Sequence, residues 1–288
     1  MHVLSWNIQW GRGADGRADL ARTVAVLRDA GSPDIICLQE VACGWPGLKG
    51  QAEPEDGPAY LRAALPEYHA IYFPSLERGD GCGGTRGFGN MIMSRLPIGQ
   101  VFRHLLPAPP DPAVPNMQRG CLEVCVDAAG GPLRILTTHL EYYSKPQRLA
   151  QAGRLWGLQQ EAIVEARQVN GRALHRGESI FGLPARGEAA VLCGDMNCEP
   201  GSPEYQAIIA PSGGGAGASG WFDAWPSRHG ALAHEPSVGL HGAEWPDRQY
   251  CCDYFFVSGE LTSRVRDLRV LAEVAASDHQ PLLLELAC

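Results

Sequence analysis

Nine short apolar runs, separated by turn-rich segments, recur along the whole chain. Their lengths and their content of Val, Ile and aromatic residues are typical of β-strands. We predict strands in these runs, at residues 2–8, 34–40, 69–74, 89–94, 121–126, 133–140, 191–197, 253–258 and 282–286. Helical patterns separate only some of them, which excludes a strict alternation of strand and helix. The pattern therefore favours an α/β fold with two mixed, largely antiparallel sheets packed as a sandwich and helices outside.

Three helices are predicted between the strands. The first covers residues 18–31 and stops at Gly31. The second runs from Pro146 to about Val169, with Ser144 as its N-cap and Gln147 at the third position of a capping box. Its apolar stripe is predicted to comprise Leu149, Ala152, Trp156 and Ile163. A short third helix follows Ser202.

The segments 43–60 and 210–250 are rich in Gly, Pro and Trp and are predicted to be loops. Their tryptophans need a surface to pack on, so neither segment resembles a flexible linker between domains. Within the second loop, residues 210–220 are the strongest candidate for a mobile stretch. We therefore expect one domain spanning residues 1–288, and we expect a monomer.

The charge balance restricts the class of partner. The chain of 288 residues carries a formal net charge of -8, so its surface as a whole repels nucleic acid or an anionic membrane. A polyanion would need a local basic patch or a bound cation. The amino terminus does not resemble an export signal, and no apolar run is long enough for a membrane helix, so we expect a cytoplasmic protein. The ten cysteines contain no CxxC pair and are expected to be reduced thiols.

Polar side chains stand at the ends of many predicted strands, where a buried run should continue or begin. They are Asn7, Glu40, His139, Asp195, Asn197, Asp253, Asp278 and His279. Each one alone is explained by an ordinary hydrogen bond in a turn or in the core. If the strands lie side by side, however, all eight converge on one rim of the sheets.

Four carboxylates at one rim repel each other unless a cation lies among them. Carboxylate and carboxamide oxygens without thiolates are the ligands of a hard cation, which favours Mg²⁺ or Mn²⁺ over zinc. An imidazole oriented by a carboxylate is a general acid or base, or a donor to charge that develops on phosphate oxygens. The set therefore indicates metal-assisted chemistry on a phosphate group.

Six motifs occur in the order and approximate spacing of a known superfamily: SWN at 5–7, LQE at 38–40, TTHL at 137–140, GDMN at 194–197, CDYFFVS at 252–258 and SDHQPL at 277–282. In these motifs the chain resembles the endonuclease/exonuclease/phosphatase superfamily, which has the deoxyribonuclease-I-like fold. The resemblance extends from residue 5 to residue 282. It implies a two-sheet α/β sandwich and Mg²⁺-dependent hydrolysis of a phosphoester by in-line attack of water.

The resemblance also implies roles for residues that hold a metal or handle the attacking water. Glu40 is similar to the principal metal ligand, and Asn7 to the residue that holds the metal and its neighbours. Asp278 resembles a residue near the metal. Asp195 resembles the group that orients or deprotonates the water, and Asn197 the one that grips the phosphate.

The histidines and three further residues complete the expected site. His279 is similar to the catalytic imidazole, which Asp253 orients, and His139 to the histidine that stabilises the pentavalent phosphorus. Three more positions are candidates for substrate binding: Asn90, Arg119 and Tyr142. For Asn90 and Arg119, a turn asparagine and an arginine on a solvated face are equally valid interpretations. For Tyr142, which could stack on a substrate, packing in the core or at the surface is the more frequent role of a tyrosine.

The motifs leave the substrate open, because they are common to the whole superfamily. A phosphodiester in nucleic acid is the commoner case. The alternatives are a phosphatase or phospholipase C-like enzyme acting on inositol phosphates or sphingolipids, and a binding module without activity. A binding module without activity is expected to have lost residues of the catalytic motifs, whereas every central motif residue is present in this chain.

Overall fold

A computed structural model describes residues 1–169, 186–209 and 220–287. It contains twelve strands: β1 (His2–Asn7), β2 (Ile35–Cys43), β3 (His69–Gly79), β4 (Thr85–Ser94), β5 (Ile98–Leu105), β6 (Gly120–Ala128), β7 (Gly131–His139), β8 (Ala190–Asp195), β9 (Trp221–Asp223), β10 (Asp253–Ser258), β11 (Val265–Val270) and β12 (Leu282–Leu286). Residues 210–219 of the predicted mobile stretch lie outside the described part of the chain.

The strands form two sheets of six. The first has the order β11-β12-β1-β2-β4-β3, and the second has the order β5-β6-β7-β8-β10-β9. Pairing is parallel between β1 and β2 and between β7 and β8, and antiparallel between the other neighbours. The predicted fold class, two mixed and largely antiparallel sheets flanked by helices, is confirmed.

Within the described ranges, five α-helices cover the sheets: α1 (Leu20–Asp29), α2 (Gly57–Ala64), α3 (Lys145–Val169), α4 (Pro203–Ile208) and α5 (Ala224–His229). The three predicted helices correspond to α1, α3 and α4. The prediction of loops at 43–60 and 210–250 was wrong in part, because α2 begins in the first segment and α5 lies in the second. Both missed helices are too short to show the long apolar repeat that marks a helix. Each begins at an aspartate N-cap, Asp56 in α2 and Asp223 in α5.

Helix α3 begins as predicted but packs through a different face. The hydroxyl of Ser144 accepts a hydrogen bond from the Gln147 amide over 3.3 Å, which is the expected N-cap. Leu149 and Trp156 were wrongly placed in the buried stripe, since 45% and 37% of their surface is exposed. The buried apolar face consists of Ala152, Leu155, Leu158, Ala162, Ile163 and Ala166. A shift of one residue rotates a helical stripe by about 100°, which moves those two side chains to the border with solvent.

Apolar contacts are buried on both faces of each sheet. One cluster lies between the sheets and includes Ile35, Ile135 and Phe255. Two further clusters join the outer faces to helices, through Leu27 of α1 and Leu155 of α3. Strands buried on both faces read as nearly continuous apolar runs, which explains why the sequence pattern revealed them.

The thiol prediction is confirmed for the part of the chain that the structure describes, where all nine cysteines are free. In the same part, no helix is long and apolar enough to span a membrane.

Candidate active site at one rim of the sandwich

Strand register brings three of the predicted site residues side by side. His139 pairs with Asp195 across β7 and β8, and Asp195 pairs with Asp253 across β8 and β10. Gly194 makes this close approach feasible, because a Cβ atom there would lie 1.9 Å from the Thr138 carbonyl oxygen. Its φ of +133° also disfavours any residue with a side chain.

Glu40 reaches the same rim from the other sheet through a local distortion. The register of β2 against β4 shifts between Leu38 and Val41, as in a β-bulge, and Glu40 has a φ of +56°. Only five described residues other than glycine have positive φ, and four of them lie at this rim: Gln9, Trp10, Glu40 and Asn197. Such strained conformations cost of order 1–3 kcal/mol each and concentrate at functional sites.

Asn7 links the two sheets. Its Nδ2 atom donates to Oε1 of Glu40 over 3.2 Å and to Oδ2 of Asp195 over 3.1 Å. Its Oδ1 atom accepts a hydrogen bond from the Gln9 amide over 3.1 Å. In this orientation Asn7 fixes its neighbours through its NH2 group, and the carboxylates are the oxygens that remain available to a cation.

His279 is held between two carboxylates. Its Nδ1 atom lies 2.9 Å from Oδ2 of Asp253, and its Nε2 atom lies 3.6 Å from Oδ2 of Asp195. Burial favours the neutral ring, but the two negative charges outweigh that effect and raise the pKa of His279 well above its usual value. The imidazole is therefore protonated at neutral pH and can donate a proton.

His139 has the opposite protonation state. Burial and the positive charge of Arg119 lower the pKa of His139 to about 3. Its Nε2 atom lies 2.9 Å from Nδ2 of Asn197 and 3.3 Å from Oδ2 of Asp195. With the amide of Asn197 donating to Nε2, the ring proton resides on Nδ1, which is buried, has no hydrogen-bond partner and lies 3.7 Å from Oε1 of Glu40.

An open cavity of about 530 Å³, a volume in the range of ligand sites, is lined by six of these predicted residues: Glu40, His139, Asp195, Asn197, Asp278 and His279. Arg119 and Tyr142, two of the predicted substrate-binding residues, also line it. Asn90 does not line this cavity. Its Nδ2 atom donates to the Gly120 carbonyl over 2.9 Å, so it braces β4 against β6 beneath the site.

Residues 4–279 match the model of the endonuclease/exonuclease/phosphatase family. The chain belongs to this family. Its members are hydrolases that act on phosphoester bonds, and they generally depend on divalent metal ions. No curated protein shows significant sequence similarity to the chain.

Solved structures show the same fold at low sequence identity. An endonuclease/exonuclease/phosphatase from Beutenbergia cavernae is 23% identical, with a TM-score of 0.62 over 100% of this chain and 72% of that one. A mannosyl-6-phosphatase from Bacteroides thetaiotaomicron is 20% identical, with a TM-score of 0.60 over 100% of both chains. The catalytic domain of human nocturnin with bound sulfate is 18% identical, with a TM-score of 0.59 over 100% of this chain and 94% of that one.

The carboxylates of Glu40 and Asp278 fit the metal dependence of the endonuclease/exonuclease/phosphatase family. Burial and the negative charge of Asp278 raise the pKa of Glu40 to about 7. Burial also raises the pKa of Asp278, whose Oδ2 atom accepts a hydrogen bond from Gln9 over 2.6 Å. A divalent cation stabilises two carboxylates whose charged forms are disfavoured in this way, and oxygen donors suit Mg²⁺ or Mn²⁺.

A second group of candidate ligands lies deeper in the site. One ligand atom each of Asp195, Cys252 and His279 falls within 4.8 Å of the others, and all three residues are buried. Burial raises the pKa of the Cys252 thiol well above its usual value, which opposes the thiolate that a soft metal needs. His279 is already held by Asp253, so the carboxylate pair at Glu40 and Asp278 is the better fit.

Several residues that build the site were not predicted from the sequence. Ser237 donates to Oδ2 of Asp253 over 2.7 Å, and Ser277 donates to the Asn7 carbonyl over 2.8 Å. Glu141 is fully buried and accepts from Nε of Arg119 over 3.2 Å. Trp245 packs 5.9 Å from the His279 ring. Ser277 is the first residue of the SDHQPL motif and Glu141 follows TTHL, but Ser237 lies in a segment without any recognisable pattern.

Proposed function

We propose that this protein is a Mg²⁺- or Mn²⁺-dependent phosphodiesterase in which a water molecule attacks phosphorus in line with the leaving group. The observation that carries the proposal is the environment of Oδ2 of Asp195. Asn7, His139 and His279 place nitrogen atoms 3.1, 3.3 and 3.6 Å from this oxygen. A carboxylate that accepts a hydrogen bond from Asn7, faces His279 and lines the cavity is suited to orient a water and accept its proton.

The two histidines then have separate tasks. His279 is charged and buried, so it protonates the leaving oxygen or donates to the phosphate as charge develops. His139 is neutral and stabilises the equatorial oxygens together with Asn197 and Arg119. Because the groups are fixed by both sheets, little reorganisation is needed when charge moves in the transition state.

A cation at the rim would be held by Glu40 and Asp278, while Asn7 and Gln9 keep those carboxylates in place. When bound, a divalent ion neutralises phosphate charge and polarises the phosphorus–oxygen bonds. The residues themselves orient the ester and hold the two protons that the reaction exchanges.

For the substrate, we place a nucleic-acid or nucleotide phosphodiester first. A phosphatase acting on a phosphorylated sugar or inositol is the second candidate, supported by the shared fold with a mannosyl-6-phosphatase. The proposal takes residues 1–288 as one domain that acts as a monomer in the cytoplasm.

The test is hydrolysis of bis-p-nitrophenyl phosphate by the purified chain with Mg²⁺, Mn²⁺ or EDTA. We expect turnover with either ion, none with EDTA, and a loss of ~10²- to 10⁴-fold in kcat for His279→Ala. His69→Ala is the matched control, because His69 is exposed and far from the rim in the strand order. A wild-type protein that is inert with both ions, or equally active with EDTA, contradicts the proposal.

A further inference from the structure

A second cavity of about 780 Å³ adjoins the active-site cavity. Three residues line both: Tyr142, Asn197 and Trp245. The second cavity, called the side groove below, extends from them between the start of α3, the start of α4 and residues 245–250. Because Asn197 also contacts His139 in the reaction site, a ligand bound at the phosphate position has direct access to the side groove.

Aromatic side chains extend from the reaction site into the side groove, with Trp245 lining both cavities. The Trp245 ring lies 5.9 Å from the His279 ring and 6.1 Å from the Tyr250 ring. Trp245 is held in place by Tyr142, whose hydroxyl accepts a hydrogen bond from the indole nitrogen over 2.9 Å. An aromatic surface of this kind suits a flat ring, which gains stacking contacts irrespective of its substituents.

The charges of the side groove are balanced. Its lining contains three cations, Lys145, Arg148 and Arg248, and three carboxylates, Glu199, Glu204 and Asp247. Arg148 pairs with Glu204 over 3.2 Å, and Arg248 forms an ion pair with Glu199. The groove therefore offers little net positive charge to a second phosphate, in contrast to a surface that binds a polyanion.

Apolar side chains cover much of the remaining lining. Pro146, Leu149, Pro203 and Pro246 face the groove together with Trp245. Leu149 is 45% exposed, although it lies on a helix whose other face supplies buried apolar contacts. Leu149 therefore offers an apolar contact to a ligand group in the side groove. Because the charges of the groove are balanced, that group is expected to be uncharged.

We infer that the side groove binds one ester substituent of the substrate, and that this substituent is uncharged and carries a flat ring, as a nucleoside does. The inference rests on the proposed function, since it places the phosphorus in the adjoining site. It narrows the substrate class to esters with one phosphate next to a nucleoside-like group, and it disfavours a long polyanion lying in the groove.

The test uses dithymidine monophosphate, in which a single phosphodiester joins two uncharged nucleosides, so either direction of binding places a nucleoside in the groove. Leu149→Gln should raise KM for this substrate roughly fivefold, as expected for loss of an apolar contact, and leave kcat within about twofold. Val164→Gln is the matched control on the same helix, because Val164 is 53% exposed and does not line the groove. It should change neither constant.

A second variant separates an uncharged occupant from a polyanion. Lys145→Glu reverses a charge of the groove lining that a polyanion would contact and that an uncharged nucleoside would not. A rise in KM for hexathymidylate under Lys145→Glu that exceeds the effect of Leu149→Gln would show a polyanion in the groove and overturn the inference. An unchanged KM for dithymidine monophosphate in Leu149→Gln would overturn it as well.

These outcomes are distinct from failure of the proposed function. If the wild type hydrolyses bis-p-nitrophenyl phosphate but Leu149→Gln behaves like Val164→Gln, the side groove has no role in binding and the phosphodiesterase proposal stands. If the wild type hydrolyses neither substrate with Mg²⁺ or Mn²⁺, the phosphodiesterase proposal fails first, and the inference falls with it.

Discussion

The Nδ1 atom of His279 lies 2.9 Å from Oδ2 of Asp253, and both side chains are buried. The same carboxylate oxygen accepts the hydroxyl of Ser237 over 2.7 Å, which fixes its position. On its other side, His279 faces Asp195. The ring is thus oriented by one carboxylate and directed at another, an arrangement that favours the positively charged ring.

Asp253→Asn removes the charge that holds this arrangement. We expect kcat for a phosphodiester to fall by ~10²- to 10⁴-fold, because the proton on His279 is no longer oriented. The Asp253 charge raises the pKa of His279, so its removal lowers that pKa, and residual activity should be lost at a lower pH than in the wild type. The pH profile of kcat measures this. Asp29→Asn, at an exposed position, is the control, and identical profiles for wild type and Asp253→Asn would refute the role of the pair.

A divalent ion should stabilise the protein through Glu40. With only the protein's own groups, the pKa of Glu40 is raised to about 7, so at pH 6 a cation must displace a proton, whereas at pH 8 the carboxylate is ionised. At a hundredfold excess over Kd, Mn²⁺ should add about 2.7 kcal/mol and raise Tm by roughly 5 °C, with a larger gain at pH 8 than at pH 6. Thermal unfolding with and without Mn²⁺ checks this.

Glu40→Gln should lose most of the Mn²⁺-dependent gain in Tm, while Glu273→Gln, at an exposed position, should keep it. The same gain in Tm for Glu40→Gln as for the wild type would place the ion elsewhere.

Gly194→Ala should damage the junction of β7 and β8. The added Cβ would lie 1.9 Å from the Thr138 carbonyl oxygen, in a backbone conformation with φ of +133°. We expect the free energy of unfolding to fall by ~1–3 kcal/mol or more, as measured by denaturant titration. Gly153→Ala is the matched control, because nothing lies within 4 Å of the added atom and a helix interior favours alanine by roughly 0.5–1 kcal/mol. Equal stabilities of the two variants would contradict the described approach of the strands.

Glu123 is a buried carboxylate far from the site, and its ionisation makes the free energy of unfolding depend on pH. It accepts from Nε of Arg134 over 2.7 Å and lies 2.9 Å from Nε2 of His104. Burial alone would raise its pKa, but the hydrogen bond with His104 and the charge of Arg134 lower it to about 2. A carboxyl with a lowered pKa stabilises the fold above its ordinary pKa of 4.5, and this contribution is lost as the pH falls towards 2.

Glu123→Gln should therefore cost ~3–5 kcal/mol at pH 7, because Arg134 is left buried without its partner. The difference between wild type and variant should shrink as the pH is lowered from 7 to 4. Denaturant titrations at both values measure it, and a difference that grows at low pH would reverse the assigned sign.

The sequence revealed the interior strands but not most of the edges. β5, β9 and β11 were missed, and each is the edge strand of a sheet. A strand with one solvated face mixes polar and apolar residues, as Val265–Val270 does, and lacks the continuous apolar run of a strand buried on both faces. The two missed helices are too short to show a helical repeat.

The site residues at strand ends could be predicted from the sequence. The motifs place polar side chains where strands end, and the pairing of neighbouring strands brings those ends to one rim. The structure brings seven of them together at one rim in direct contacts: Asn7, Glu40, His139, Asp195, Asn197, Asp253 and His279. Asp278 lines the same cavity. Ser237 and Trp245 were missed because loop conformation, which no residue pattern determines here, carries them to the rim.

The kcat of Asp195→Asn on bis-p-nitrophenyl phosphate, measured beside Mn²⁺ binding by the same variant, shows whether Asp195 activates the attacking water. Asp195 contacts both histidines and Asn7, but Glu40 and Asp278 are the proposed cation ligands. We predict a fall in kcat of ~10²-fold or more while the Mn²⁺-dependent rise in Tm remains. A variant that binds Mn²⁺ and hydrolyses the ester at the wild-type rate would show that Asp195 does not activate the attacking water.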